Sequence, residues 1–205
     1  STSGTMFIYT YNEDGDRSYV ATGNENVYLW GAQVEKQSYA TSYIPTNGAI
    51  GTREQDSVSK DGLSDYINSS EGVLYAEIQA LSNDLTNRRI TLSDGTVDNR
   101  VSLIFENYTN RITAFLQDST GSITINNDVS DITEFNKVAF KYKNGQSALW
   151  VNGESILNTS SINISNLDRL NLANIDGSSK FYGNIKDLRV YTTALTDEEL
   201  TQLTS

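Results

Sequence analysis

The sequence has neither cysteine nor histidine, and it has one proline and one methionine among 205 residues. The missing cysteines exclude disulfides and thiolate chemistry, and the missing histidines exclude the usual zinc sites and the Ser-His-Asp type of nucleophilic system. No apolar run approaches the roughly 20 residues of a membrane-spanning helix, so no membrane insertion is expected. The chain starts with the polar stretch Ser1–Thr5 and lacks an initiator methionine, so we expect a fragment or a processed product.

The charge balance is strongly acidic, with 26 acidic against 15 basic residues and a net charge of −11. Such a chain repels DNA and anionic membranes, so a nucleic-acid partner is not expected. Hydrophobic residues nevertheless make up 37% of the chain, and 12 of them are tyrosines. This composition is typical of a folded chain with a core and argues against disorder.

Apolar and polar residues alternate in several short segments. Val101, Leu103 and Phe105 share one face of such a segment, while Arg100 and Ser102 lie opposite. The same pattern recurs in residues 73–78, 111–116, 137–143 and 148–151. Strands of about 6–8 residues at this regular spacing predict an all-β fold, either a sandwich or a barrel of antiparallel sheet.

Two turns and one helix are clearly marked. Asn144–Gly145 and Asn152–Gly153 favour type I′ hairpin turns, in which both central residues have positive φ. Thr196 as N-cap and Glu199 three residues later predict a capping box at the start of a C-terminal helix. Three leucines could fix this short helix to the sheets: Leu195, Leu200 and Leu203.

Two stretches resemble a known family. Phe135–Tyr142 followed by Ala148–Gly153 resembles the central hairpin of laminin-G-like, concanavalin A-like jelly rolls. Phe181–Tyr191 followed by Ala194–Leu200 resembles the last strand and closing helix of that family. The resemblance implies a concanavalin A-like jelly-roll β-sandwich of two antiparallel sheets with a short C-terminal helix, and we assign it to residues 46–205.

The N-terminal part carries a second resemblance. Val27–Glu35 and Tyr39–Thr46 are similar to a segment that recurs in bacteriophage tail and fibre proteins, where it closes one carbohydrate-binding-like sandwich before a second begins. This implies a virion-associated or secreted modular protein, located in the virion or outside the cell. Residues 1–45 would then be the remnant of a preceding module. The two strands predicted there, at residues 6–11 and 27–30, are marginal alone. We therefore expect them to pair with the main sandwich, with another subunit of a homo-oligomer or with missing sequence.

Catalytic residues of this fold are not recognisable in the chain. A retaining glycoside hydrolase needs two carboxylates about 5–5.5 Å apart, and the family's hydrolases carry them as Glu-x-Asp-x-x-Glu on one strand, a run that is absent here. Glu77 has no acidic residue two or four positions later. The family's lyases use a histidine, which this chain lacks. We therefore predict that the protein is not an enzyme.

A carbohydrate site needs aromatic faces for the sugar rings and planar polar groups for the hydroxyls. Trp150 is the first candidate because Leu149 and Val151 take the core face, although it could instead pack under a loop or the C-terminal helix. Arg100, Arg111 and Lys141 could form a cationic strip for an acidic polysaccharide, or be ordinary solvated charges. The full set of candidates is Trp150, Tyr75, Arg100, Arg111, Lys141 and Asn152.

A structural calcium ion is a further expectation, because jelly-roll lectin domains often bind one through loop carboxylates. The candidate ligands are Asp94, Asp176 and Asp187, although Asp-Gly pairs also form plain turns. The leading hypothesis is a non-catalytic carbohydrate-binding or host-receptor-binding module of a phage tail or fibre protein that recognises a polysaccharide or cell-surface glycan. The alternatives are a virion assembly or decoration domain without sugar binding, and an accessory module of a secreted polysaccharide-degrading enzyme.

Overall fold

The computed structural model of the protein describes residues 56–205 together with Gly15, Tyr28, Gly31, residues 42–45 and Gly48. The described part is all-β apart from one short helix, and its strands form two antiparallel sheets, as predicted. None of the described helical residues forms a segment long and apolar enough to cross a membrane.

The chain crosses several times between the two sheets. In the six-stranded sheet the order is β1 (Ser59–Lys60), β10 (Arg169–Asn171), β3 (Arg88–Ser93), β4 (Arg100–Phe105), β5 (Arg111–Gln117) and β6 (Ser122–Asp128). In the five-stranded sheet the order is β11 (Gly183–Tyr191), β2 (Glu71–Ala80), β7 (Asn136–Lys143), β8 (Ser147–Val151) and β9 (Glu154–Asn158). The five strands predicted from alternation lie within β2, β4, β5, β7 and β8 and are confirmed.

The core lies between the sheets and follows the alternation. On β4, the side chains of Val101, Leu103 and Phe105 point inward and are buried, as predicted. Burying a side chain of this size contributes about 1.5–3 kcal/mol. The same inward face continues on the neighbouring strands with Ile90, Leu92, Ile112, Leu116, Leu74, Ile78, Val138, Phe140, Leu149 and Val151.

The two predicted hairpin turns differ. Asn152 and Gly153 have φ values of 50° and 88°, which confirms a type I′ geometry between β8 and β9. In the β7–β8 connection only Gly145 has a positive φ, 72°, so the type I′ prediction at Asn144–Gly145 is wrong. The reason is loop length: three residues separate the two strands, and such loops place one residue, here glycine, in the left-handed region.

Aspartates stabilise the loops through one repeated device. The Oδ1 atom accepts hydrogen bonds from both the backbone N–H and the hydroxyl of a Thr or Ser two residues later. This arrangement is found at Asp84, Asp94, Asp118, Asp131 and Asp176. Part of the acidic charge of the chain is therefore used inside turns.

The C-terminal helix α1 (Asp197–Thr204) begins as predicted, with Thr196 and Glu199 forming the capping box. It lies on the outer face of the five-stranded sheet, where Leu200 is fully buried. Leu195 and Leu203 pack beside it, so the prediction that these three leucines fix the helix is confirmed. They contact a second apolar cluster, formed by Val73, Tyr75, Ala139, Ala148 and Trp150.

The predictions for residues 1–45 fall almost wholly outside the described residues. The strands predicted at residues 6–11 and 27–30 cannot be compared with structure, and the boundary after Pro45 stays a prediction.

Candidate functional site

Trp150 lies on the outer face of the five-stranded sheet, as the alternation predicted, but α1 covers it. The residue is only 3% exposed, and Tyr75 beside it is 2% exposed. Lys141 Nζ lies 4.9 Å from the centre of the Trp150 ring and 2.7 Å from Asp197 Oδ1 at the start of α1. A sugar ring therefore cannot reach Trp150 or Tyr75. The expected binding roles of Trp150, Tyr75 and Lys141 are corrected to packing and anchoring of the helix.

Asn152 also has a structural position. Its Oδ1 accepts the backbone N–H of Lys137 at 3.0 Å, and its Nδ2 donates to Asn136 Oδ1 at 2.9 Å. Both ends of the amide hold the turn between β8 and β9 against β7. Asn152 therefore stabilises the turn. It does not lie near Arg100 and Arg111, the candidates on the six-stranded sheet.

The predicted cationic strip is not formed. Lys141 lies on the five-stranded sheet, whereas Arg100 and Arg111 lie on the six-stranded sheet. Arg111 is also engaged, because its guanidinium donates to both carboxylate oxygens of Asp128, at 2.7 and 3.2 Å, and stacks on Tyr108. This bond raises the pKa of Arg111 and gives the pair no net charge.

Arg100 instead meets Arg89 over one aromatic ring. The Cζ atom of Arg100 lies 5.0 Å from the centre of the Phe115 ring, and that of Arg89 lies 5.9 Å from it. Arg100 donates to Gln117 Oε1 at 2.6 Å and to Asn174 Oδ1 at 3.2 Å. We call Arg89, Arg100 and Phe115 the arginine–phenylalanine cluster. It lies on the outer face of the six-stranded sheet, away from α1.

Strand register explains why these side chains meet. Phe115 on β5 is paired with Ser102 on β4, and Arg89 on β3 is paired with Ile104 on β4, so all of them point to the same face. Ile104 is buried on that face, and so are three short side chains: Thr91, Ser102 and Thr113. Thr91 Oγ1 and Ser102 Oγ are hydrogen-bonded at 3.1 Å, so these groups are satisfied beneath the longer side chains.

The two arginines are partly desolvated. Burial lowers the pKa of Arg89, and the positive charge of Arg100 lowers it further. Burial likewise lowers the pKa of Arg100. The Nε atoms of both residues are buried without a hydrogen-bond partner among the described residues. The cluster thus offers an aromatic ring flanked by two guanidinium groups whose N–H donors are not all used.

Comparison with known proteins identifies the family. The family model described as the concanavalin A-like lectin/glucanases superfamily matches residues 55–201, which is most of the chain. The chain belongs to the concanavalin A-like lectin/glucanases superfamily. No curated protein matches the chain.

Several solved structures have a similar fold. A carbohydrate-binding module (CBM40) of a Ruminococcus gnavus IT-sialidase, bound to α2,3-sialyllactose, is 22% identical with a TM-score of 0.57, over 67% of this chain and 84% of that chain. A leech intramolecular trans-sialidase, complexed with 2,7-anhydro-Neu5Ac, is 24% identical with a TM-score of 0.56, and the match covers 67% of this chain and 23% of the leech enzyme. Domains LG4-5 of the mouse laminin α1 chain are 14% identical with a TM-score of 0.51, over 68% of this chain and 41% of that chain.

The calcium expectation taken from this superfamily does not fit the residues present. Asp94 and Asp176 are engaged in their own turns, and Asp187 holds Arg189 at 2.6 Å. No group of three or more acidic residues within the described part of the chain could hold a metal ion. The three aspartates are therefore turn and ion-pair residues and do not form the expected site.

Some members of the superfamily are glucanases, and glycoside hydrolases use a pair of carboxylates. One pair of carboxylates lies across two neighbouring strands here. Glu77 on β2 and Asp187 on β11 are register partners, a pair that the search along single strands missed. Each carboxylate is engaged by a cation, Glu77 by Lys186 at 2.7 Å and Asp187 by Arg189. Both carboxylates of this pair are therefore occupied by ion pairs.

Sequence reasoning missed Arg89, Phe115 and Asn174. Phe115 was recognisable, because Ile112 and Leu116 take the core face and leave it outward. Arg89 follows a second arginine, and only the structure shows which of the two faces outward. Asn174 lies in the connection after β10, and no local pattern places it beside Arg100.

Proposed function

We propose that this protein is a non-catalytic carbohydrate-binding module whose site is the arginine–phenylalanine cluster on the outer face of the six-stranded sheet. The observation that carries the proposal is the Phe115 ring with the guanidinium carbons of Arg89 and Arg100 at 5.9 and 5.0 Å from its centre. Sugar rings pack on aromatic faces, and planar donors beside the ring bind their hydroxyls.

The surroundings of the cluster support this role. The amides of Gln117 and Asn174 hold Arg100 in place, so its guanidinium is oriented before a ligand arrives. Preorganised donors of this kind reduce the entropy lost on binding. On the outer face of the opposite sheet, the candidate aromatic residues Trp150 and Tyr75 are buried beside α1. The CBM40 module of the Ruminococcus gnavus sialidase is a carbohydrate-binding member of the same fold.

The non-catalytic part of the proposal is supported by the acidic side chains. The only cross-strand carboxylate pair that the register brings together among the described strands, Glu77 and Asp187, is neutralised by Lys186 and Arg189. The chain also has no histidine or cysteine to act as a base or nucleophile.

The biological setting of the proposal comes from the N-terminal motif at residues 27–46. Its similarity to phage tail and fibre proteins supports a virion or extracellular protein that binds a host-cell glycan. An accessory module of a secreted polysaccharide-degrading enzyme, or a virion assembly domain without sugar binding, would have the same fold. The domain composition of the full gene product would separate these settings.

Affinity electrophoresis and a glycan array test the binding function. We expect the protein to bind at least one glycan, and Phe115→Ala to weaken that binding about ten-fold or more through loss of the ring contact. Tyr108→Ala is the matched control, because this exposed ring also has an arginine stacked on it, but that arginine is ion-paired. Binding to no glycan, or equal losses in both variants, would contradict the proposal.

A further inference from the structure

In the described part, some arginines are paired with a carboxylate and others are not. Four of its six arginines have a carboxylate oxygen within 4.0 Å: Arg88, Arg111, Arg169 and Arg189. Arg89 and Arg100 have none among the described residues. The chain has 26 acidic and 15 basic residues, so this is not caused by a shortage of carboxylates. The two unpaired arginines lie together, over a single ring.

This arrangement is costly for the protein alone. The two guanidinium groups repel each other and are partly removed from water, which is why the pKa of Arg89 is lowered by both burial and Arg100. Asp176 acts on both arginines only at a distance, because its carboxylate is held in its turn by Ser178 at 2.6 Å. An anion between the arginines would offset the repulsion.

The hydrogen-bonding capacity of the two guanidinium groups also indicates an anionic ligand. The Arg89 guanidinium donates no hydrogen bond to any described residue, and the Phe115 ring is the aromatic group that it contacts. The acceptors of Arg100, Gln117 and Asn174, are neutral amides that orient the guanidinium without neutralising it. A guanidinium presents its N–H groups in a planar fork that matches the oxygens of a carboxylate or sulfate.

We propose that Arg89 and Arg100 bind the carboxylate or sulfate of an acidic sugar, whose ring packs beside Phe115. This rests on the proposed function and adds the ligand class. The net charge of −11 opposes a densely charged polyanion, so the acidic sugar belongs to a glycan with isolated negative charges, such as a terminal acidic residue on a neutral chain.

The test is a glycan array in which each acidic glycan is printed beside its neutral counterpart, with separate carboxylated and sulfated members. One such set is 3′-sialyllactose, 3′-sulfolactose and lactose, with heparin as a dense polyanion. We expect binding to be confined to acidic members with isolated charges, and the preferred acid identifies the anion. Equal binding of neutral and acidic members would overturn this inference and leave the proposed function intact. Binding to no glycan would overturn both, and preference for heparin would overturn the argument from net charge.

Variants complete the test on the best acidic glycan by isothermal titration. Arg89→Gln and Arg100→Gln should each weaken binding about ten- to a hundred-fold, the effect of losing one charge-assisted hydrogen bond. Arg111→Gln is the matched control on the same sheet face, and it should change the affinity less than about two-fold because Asp128 already neutralises Arg111. Arg89→Lys keeps the charge and should retain part of the affinity. Equal effects of Arg89→Gln and Arg111→Gln would refute the assignment.

Discussion

Trp150 lies beneath α1, and its replacement by alanine is expected to reduce stability while leaving ligand binding intact. The ring is 3% exposed and packs in the second apolar cluster with Leu200, which is fully buried. Truncating a buried tryptophan to alanine costs about 3–5 kcal/mol. For a domain of this size each kcal/mol lowers Tm by about 2–4 °C, so the expected decrease is roughly 6–20 °C.

Thermal unfolding followed by circular dichroism measures the loss, and glycan binding is measured well below the transition of the variant. Tyr66→Ala serves as the control, because Tyr66 is 69% exposed and its ring should contribute less than about 0.5 kcal/mol. Phe115→Ala should show the reverse behaviour, with weakened binding and a smaller change in Tm. The reasoning would be refuted if Trp150→Ala kept its Tm within about 2 °C and lost glycan binding.

Two further predictions concern acidic side chains. Asp118 accepts hydrogen bonds from Thr120, Gly121 and Asn163, which hold its pKa at about 2, below the ordinary 3.8. A carboxylate with a lowered folded-state pKa stabilises the protein above pH 3.8 and loses that contribution as the pH falls toward 2. The urea midpoint of Asp118→Asn should therefore lie below that of the unsubstituted protein at pH 6 and approach it at pH 2, and a gap independent of pH would contradict this. For calcium, neither EDTA nor added CaCl2 should shift Tm, because the expected aspartates are already engaged; a rise in Tm with calcium would reveal a site that they do not form.

The fold was largely predictable because its signals are local. Alternation in residues 100–105 decides which side chains enter the core, and the capping box at Thr196 and Glu199 marks the helix start. Local turn chemistry also identified the β8–β9 hairpin. It failed at Asn144–Gly145, since loop length depends on where the paired strands end.

The site was less predictable because it depends on distant parts of the chain. Outward-facing side chains exist on both sheets, and sequence alone could not say that α1 covers the face with Trp150. The adjacent arginines show the same limit. Arg88 is buried and paired with Asp84 at 2.6 Å, whereas Arg89 points outward to Phe115. Which of the two is available for a ligand is decided by the register of β3.

Helix α1 makes the two faces of this sandwich unequal, and this has a consequence for valency. With Trp150 and Tyr75 covered, the described part offers the proposed site on the other sheet, which a ligand would approach from one side. Through this proposed site a single copy would hold one glycan end and would not bridge two. Firm attachment to a glycan-coated surface would have to come from several copies held together, since linked sites raise the effective concentration of each next binding event. The helix would thus limit the number of glycan contacts that the described part can make, although it contributes no side chain to the proposed site.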